Sequence, residues 1–156
     1  MAALQDMPGH LIRRAQQVSN AIFAEECGTF DLTSVQYAAL FTINRHDGID
    51  ATRLSRQIAF DRSTIGDVLE RLETKGLIVR VAGTSDKRTK CLYASDAGKE
   101  LLAKVEPYVR NVQRRLLEPF AEPNQLQVLG LLRLIAEIPI TNSAAMGGNI
   151  MDKIDG

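Results

Sequence analysis

Residues 59–95 read "AFDRSTIGDVLERLETKGLIVRVAGTSDKRTKCLYAS", and the fold turns on them. After Asp61, the residues Ile65, Val68, Leu69 and Leu72 recur at helical period and make one apolar face. The opposite face carries Ser63, Asp67, Glu70 and Thr74, with Thr64, Gly66 and Arg71 on its flanks. Asp61 is placed to cap this helix, and Gly76 to take the left-handed position after its last turn. Only "AFD" separates it from a short helix that Asp50 can cap and that carries Leu54 and Ile58. That is helix-turn-helix spacing. A helix that buries one face and offers small polar groups along its N-terminal half suits the major groove, where such residues meet base edges. The bland alternative is an amphipathic surface helix.

The rest of the stretch decides between them. Two short apolar runs, Val79 to Val81 and Cys91 to Tyr93, flank a loop with Asp86, Lys87, Arg88 and Lys90. Closing such a loop costs entropy, and it holds no apolar residue beyond Ala82 to offset that cost inside the protein. Helix-turn-helix followed at once by a hairpin is the order of a winged helix. The cationic loop then recovers its energy on DNA phosphates and in a minor groove whose negative potential attracts arginine. Arg88 is the expected tip residue, Lys87 and Lys90 the phosphate contacts. Asp86 is placed to restrain Arg88 or a cation of the preceding helix.

Outward from this centre the chain reads as helices. The first runs roughly from Pro8 to Glu26, with Leu11, Ala15, Val18 and Ile22 as its apolar stripe, and "CGTFD" ends it. "TSVQ" at Thr33 is a capping box that opens the second, which "HDGID" ends. After the hairpin a fifth helix follows Ser95 toward Glu118, and Pro107 should kink it. Pro123 opens a sixth with Leu126, Leu129, Leu132 and Ile135 on its apolar stripe, and Pro139 stops it. The expected fold is mainly α, six helices with a small β-hairpin wing. Residues 139–156 read as a mobile polar tail.

At 156 residues, 45% hydrophobic and 24% charged, the chain reads as one domain with an ordinary globular composition. No apolar run approaches the ~20 residues of a membrane span. No secretory pattern opens it, and two cysteines make no disulfide framework, so a cytoplasmic protein is expected. The formal net charge is zero, but residues 50–94 hold nine Lys/Arg against six Asp/Glu, while residues 1–49 hold three against five. The positive excess surrounds the hairpin, as a nucleic-acid partner requires. The sequence lacks a P-loop, a G-x-S-x-G, an H-E-x-x-H and clustered metal ligands, so neither an enzyme nor a cofactor or metal site is expected.

"DRSTIGDVLERLETKGLIVR" followed by "SDKRTKCLYASDAGKELL" resembles the core of the MarR family of bacterial winged-helix regulators. The likeness rests on the D-x-S-T opening, the R-L-E-x-K-G-L helix end, the D-x-R wing and the Ser95-x-x-Gly98 helix start. It spans residues 8 to 138. It implies a homodimer built by the terminal helices (8–32 and 95–138) around a DNA-binding lobe (33–94). The apolar stripes of the first and sixth helices agree, since the small central lobe cannot cover them all. Expected DNA-contacting residues are Arg53, Arg56, Arg62, Ser63, Thr64, Gly66, Asp67, Arg71, Asp86, Lys87, Arg88 and Lys90. Family recognition helices commonly carry Thr-Arg where this chain has Gly66-Asp67, so readout by a central Arg is absent. The operator should be an inverted repeat in double-stranded DNA.

"PGHLIRRAQQ" resembles members that control aromatic-acid breakdown, which implies a repressor released by a small aromatic carboxylate. His10, Arg14 and Gln17 share a face of the first helix with Arg13 close by, and Arg can grip a planar carboxylate with two parallel hydrogen bonds. Tyr37 and Phe41, four apart, could line an apolar wall. Two other readings stay open: a redox-sensing repressor using Cys27, and a winged helix that binds protein. Glu25 and Glu26 should raise the Cys27 thiol pKa and blunt its reactivity. Cys91 is expected to be packed.

Overall fold

The structure, a computed structural model, describes residues 3–139. Its elements are α1 (Pro8–Cys27), α2 (Ser34–Arg45), α3 (Ala51–Gln57), α4 (Arg62–Thr74), β1 (Ile78–Ala82), β2 (Lys90–Ala94), α5 (Asp96–Leu117) and α6 (Glu122–Ala136). Short 3-10 turns at Leu4–Asp6 and Gly28–Phe30 flank α1. The expected tail lies outside the described residues except for Pro139. Pro107 lies within α5, which continues through it as one helix. Pro123 takes the second position of α6.

Local chemistry sets the helix starts. Thr33 accepts from the Gln36 N–H at 3.2 Å, and the Gln36 side chain accepts from the Thr33 N–H at 3.2 Å. Asp50 accepts from the Arg53 N–H at 2.9 Å and Asp61 from the Ser63 N–H at 3.1 Å. Ser95 caps α5 by accepting from the Gly98 N–H. Each such cap supplies about 1 kcal/mol by satisfying a donor that the first helical turn leaves free. Gly76 closes α4 at φ 70°. The turn between α3 and α4 holds a feature its sequence does not announce: Ala59 sits at φ 51°. An L-residue there costs roughly 1–2 kcal/mol. The turn is held by the Phe60 N–H, which donates to the Ser55 carbonyl at 2.9 Å, and by Ile58 and Phe60 packed on the core.

The chain forms two compact units, divided between Glu118 and Pro119. In the first, one core joins α2, α3, α4 and the hairpin. Leu40, Ile43, Leu54, Ile65, Leu72, Ile78 and Leu92 are fully buried there. At about 1.5–3 kcal/mol for each buried aliphatic side chain, this cluster dominates the stability of the lobe. A second cluster, Phe23, Cys27, Val105 and Val112, packs α1 on α5. The hairpin is antiparallel, with Ile78 opposite Ala94 and Arg80 opposite Leu92. It is tied to the helix-turn-helix by the Leu92 N–H, which donates to the Ile49 carbonyl at 2.9 Å, and by the Gly48 N–H, which donates to the Leu92 carbonyl at 3.0 Å.

The expected stripe of α1 is not the face it buries. Leu11, Ala15 and Val18 are exposed and Ile22 is half-buried, whereas Phe23 and Cys27 are covered. The stripe therefore belongs to a surface that this chain alone does not cover. In the second unit no residue of α6 is buried, and Leu126, Leu132 and Ile135 of its stripe are exposed.

Candidate nucleic-acid interface

Helix α4 buries Ile65, Val68, Leu69 and Leu72 and leaves its other side open. Arg62, Ser63, Thr64, Gly66, Asp67 and Arg71 are all exposed. The Asp61 carboxylate is occupied by the cap, and the Thr64 hydroxyl donates to the Asp61 carbonyl at 3.1 Å. A β-carbon on Gly66 would meet nothing within 4 Å, so packing does not require glycine there.

The wing loop is built rather than slack. The Gly83 N–H donates to the Thr89 carbonyl at 2.8 Å, and the Thr89 N–H to the Asp86 carbonyl at 3.1 Å. Asp86 does restrain Arg88, but through the backbone: its carboxylate accepts from the Arg88 N–H at 2.9 Å. The Arg88 guanidinium forms no ion pair among the described residues. Lys90 is the first residue of β2 rather than part of the loop, and it is exposed, as is Lys87. From α3, Arg53 and Arg56 line a recess of about 410 Å³ with His46, Asp47 and Gln57.

Charge pairing sets these cations apart from six others, though not from Arg13, Arg14, Arg45, Lys99 and Arg133, which likewise form no ion pair among the described residues. Lys75, Arg80, Lys104, Arg110, Arg114 and Arg115 form ion pairs with Asp or Glu. Among the described residues, Arg53, Arg56, Arg62, Arg71, Lys87, Arg88 and Lys90 form none. Their field is not cancelled locally, and it is borne by the helix-turn-helix and the wing.

The residues expected to hold a ligand are not gathered in the single chain. Tyr37 stacks obliquely with Phe23 and Phe41, each at 5.8 Å between ring centres, and the Arg45 guanidinium lies 5.0 Å from the centre of Phe41. His10 is half-buried, and Arg13, Arg14 and Gln17 are exposed. The open cleft on this side, about 790 Å³, is lined by other residues of α1 (Gln16, Asn20, Phe23, Ala24), by Thr33, Ser34, Val35 and Ala38, and by the Ile58–Ala59–Phe60 turn. Its polar groups form a chain: the Ser34 hydroxyl and the Gln16 side-chain amide both donate to the Asn20 side-chain oxygen Oδ1, at 2.9 and 3.1 Å. Gln16 and Asn20 were missed in the sequence, although their spacing of four on one helix is a signal that could have found them. The cleft itself was not legible, because its third wall comes from the distant α3–α4 turn.

Cys27 is fully buried, and its thiol pKa is pushed up, first by burial and then by the Glu26 charge. Burial thus outweighs the neighbouring carboxylates expected to act on it. Glu26 itself is held below the usual carboxylate range by hydrogen bonds from Arg115 and Asn111. Such a thiol is a poor oxidant sensor. Cys91 is half-buried in β2.

A helix-turn-helix carrying a cationic hairpin defines a winged-helix DNA-binding protein. The model of the MarR family matches residues 32–90. A putative transcriptional regulatory protein for the hcr operon of Thauera aromatica is 30% identical over 126 residues, 80% of this chain and 76% of that protein. The PcaV transcriptional regulator from Streptomyces coelicolor, solved in complex with its natural ligand, is 31% identical with a TM-score of 0.78, over 88% of this chain and 99% of that one. The transcriptional repressor CouR, solved bound to a 23-mer DNA duplex, is 28% identical with a TM-score of 0.78, over 85% of this chain and 94% of that one. The chain belongs to the MarR family of winged-helix transcriptional regulators.

Proposed function

We propose that the chain is a homodimeric repressor that holds an inverted-repeat operator with α4 and the wing, and that a small aromatic carboxylate releases it. The observation that carries the DNA contact is the set of exposed cations without ion pairs on α3, α4 and the wing. The exposed apolar residues of α1 and α6, among them Leu11, Ile12, Val18, Leu131, Leu132 and Ile135, favour a second copy as their cover. Helices α1, α5 and α6 would then form the body of the dimer and residues 33–94 the DNA-binding lobe. A twofold dimer sets half-sites about 10 bp apart or a multiple of that. Footprinting the purified protein on genomic DNA tests this; protected sites without inverted symmetry, or a monomer at micromolar concentration, would refute it.

For the effector, the cleft against the α3–α4 turn offers Phe23 and Phe60 to a ring and the Asn20–Gln16–Ser34 chain to a hydroxyl. No charged residue lines it, so the carboxylate must reach outside it. Arg13, three and seven residues before Gln16 and Asn20, shares their face of α1, and Arg14 lies beside it. What supports the reading is that PcaV was solved with its natural ligand on a similar fold. A ligand that prefers a lobe position other than the DNA-bound one must weaken DNA binding, and DNA must weaken the ligand equally. Calorimetric titration of benzoate-, cinnamate- and pyridine-type acids into wild type, Arg13→Ala and Arg14→Ala tests it. Binding that leaves operator affinity unchanged, or no binding at all, would sink the effector assignment.

A further inference from the structure

We propose that Glu73, an acid on the recognition helix α4, is a positioning residue that sets the wing for DNA by holding Arg80 of β1. The proposal rests on the reading of α4 and the wing as the DNA interface. Glu73 Oε2 lies 2.9 Å from Arg80 Nε. That nitrogen is shut off from solvent and has no hydrogen bond of good geometry, so the Glu73 charge is its compensation. The reason lies in the strand. Ile78 and Arg80 fall on the same side of β1, Ile78 is buried, and Arg80 faces the buried Leu92 across the ladder. A cation thus occupies an inward position where alternation calls for an apolar side chain. Leaving it there unpaired would be costly.

The apolar packing of Ile78 and Leu92 holds the hairpin on the lobe, and the Gly48 and Ile49 backbone bonds orient β2. The ion pair adds a directional tie to β1. It joins the helix that enters the groove to the strand that leads to Arg88, across a turn of only Lys75, Gly76 and Leu77. Arg80 itself is spent on this link and is not a phosphate contact.

The two roles open to Glu73 predict opposite signs. A carboxylate on a DNA-facing helix repels phosphates, so a merely superficial acid binds DNA more tightly once neutralised. Glu70 is the internal control: it is exposed on the same helix and forms no ion pair among the described residues. Titrations of a labelled operator fragment with wild type, Glu70→Gln and Glu73→Gln should show Glu70→Gln binding up to several-fold tighter. Glu73→Gln, with the same change of charge, should bind about three- to tenfold more weakly, with faster amide exchange in the wing. Glu73→Asp keeps the charge and withdraws it by one methylene; it should also bind more weakly, and it decides the matter if Glu73→Gln does not fold. Tighter binding by Glu73→Gln, or wild-type affinity in Glu73→Asp when Glu73→Gln is unfolded, overturns the proposal while leaving the DNA interface intact. Absence of salt-dependent DNA binding by wild type overturns the interface reading and the proposal together.

Discussion

Gly66 and Gly98 both sit in helices, for opposite reasons. A β-carbon on Gly98 would collide with the Leu77 carbonyl oxygen, where α5 starts against the turn after α4. Gly98→Ala should therefore cost on the order of 1–3 kcal/mol in unfolding free energy, read from denaturant titration. Gly66 has open space around it, so Gly66→Ala should stabilise the fold by about 0.5–1 kcal/mol. If its bare backbone is what lets α4 approach DNA, the same variant should bind operator more weakly. A variant both more stable and equally active would show that Gly66 is merely tolerated. Cys27 gives a third test at this scale. Its buried thiol with a raised pKa should resist a thiol reagent in the native protein and react once the protein is unfolded. Rapid labelling of Cys27 at neutral pH in the folded state would reopen the redox reading.

At the scale of elements, the order of helices and hairpin was readable because its signals are local. A cap is a side chain meeting a backbone N–H two or three residues on, as at Thr33, Asp50, Asp61 and Ser95. The α4 face was readable because helical period alone selects Ile65, Val68, Leu69 and Leu72. What the sequence hid depends on segments far apart along the chain. The apolar stripe of α1, read as surface for a second copy, is exposed in the single chain; what the pattern did not announce is the separate face, Phe23 and Cys27, that packs on α5. Arg115 of α5 reaches Glu25 and Glu26 at 2.7 Å each, a pairing no spacing rule announces. The candidate ligand residues illustrate the same limit: the sequence offered His10, Arg14 and Gln17 on one face of α1, while the cleft is lined by Gln16, Asn20, Phe23 and Ala24 and needs the left-handed Ala59 turn to complete it. The α1–α5 clamp also gives a pH dependence. The folded-state pKa of Glu26 is lowered, chiefly by hydrogen bonding to Arg115. Its stabilising contribution is therefore full above the ordinary Glu value of about 4.3 and is lost as pH falls through the lower folded value. Glu26→Gln should be less stable than wild type at neutral pH, and the difference should shrink below about pH 4. A difference that does not change with pH would show that the carboxylate charge is not what holds α1 to α5.

For the whole molecule, the zero net charge conceals an uneven distribution that only the fold makes useful. Acids and bases pair along α5 and between α5 and α1, while among the described residues the bases of α3, of α4 and of the wing beyond Arg80 form no ion pair. No helix among the described residues is long and apolar enough to cross a membrane, and Leu126, Leu131, Leu132 and Leu134 of α6 are exposed. In the proposed dimer, a second copy would place two α4 helices and two wings on one DNA face, doubling the cationic contact without raising the net charge per chain. That account is tested most directly by the salt dependence of DNA affinity in wild type and Arg88→Ala, measured on the same operator fragment. It predicts a steep fall of affinity with salt in wild type. In Arg88→Ala it predicts a loss on the order of 1–3 kcal/mol per contact and a log–log slope shallower by about one for each wing, with fold and oligomeric state unchanged. Equal affinities and equal slopes in the two proteins would contradict it.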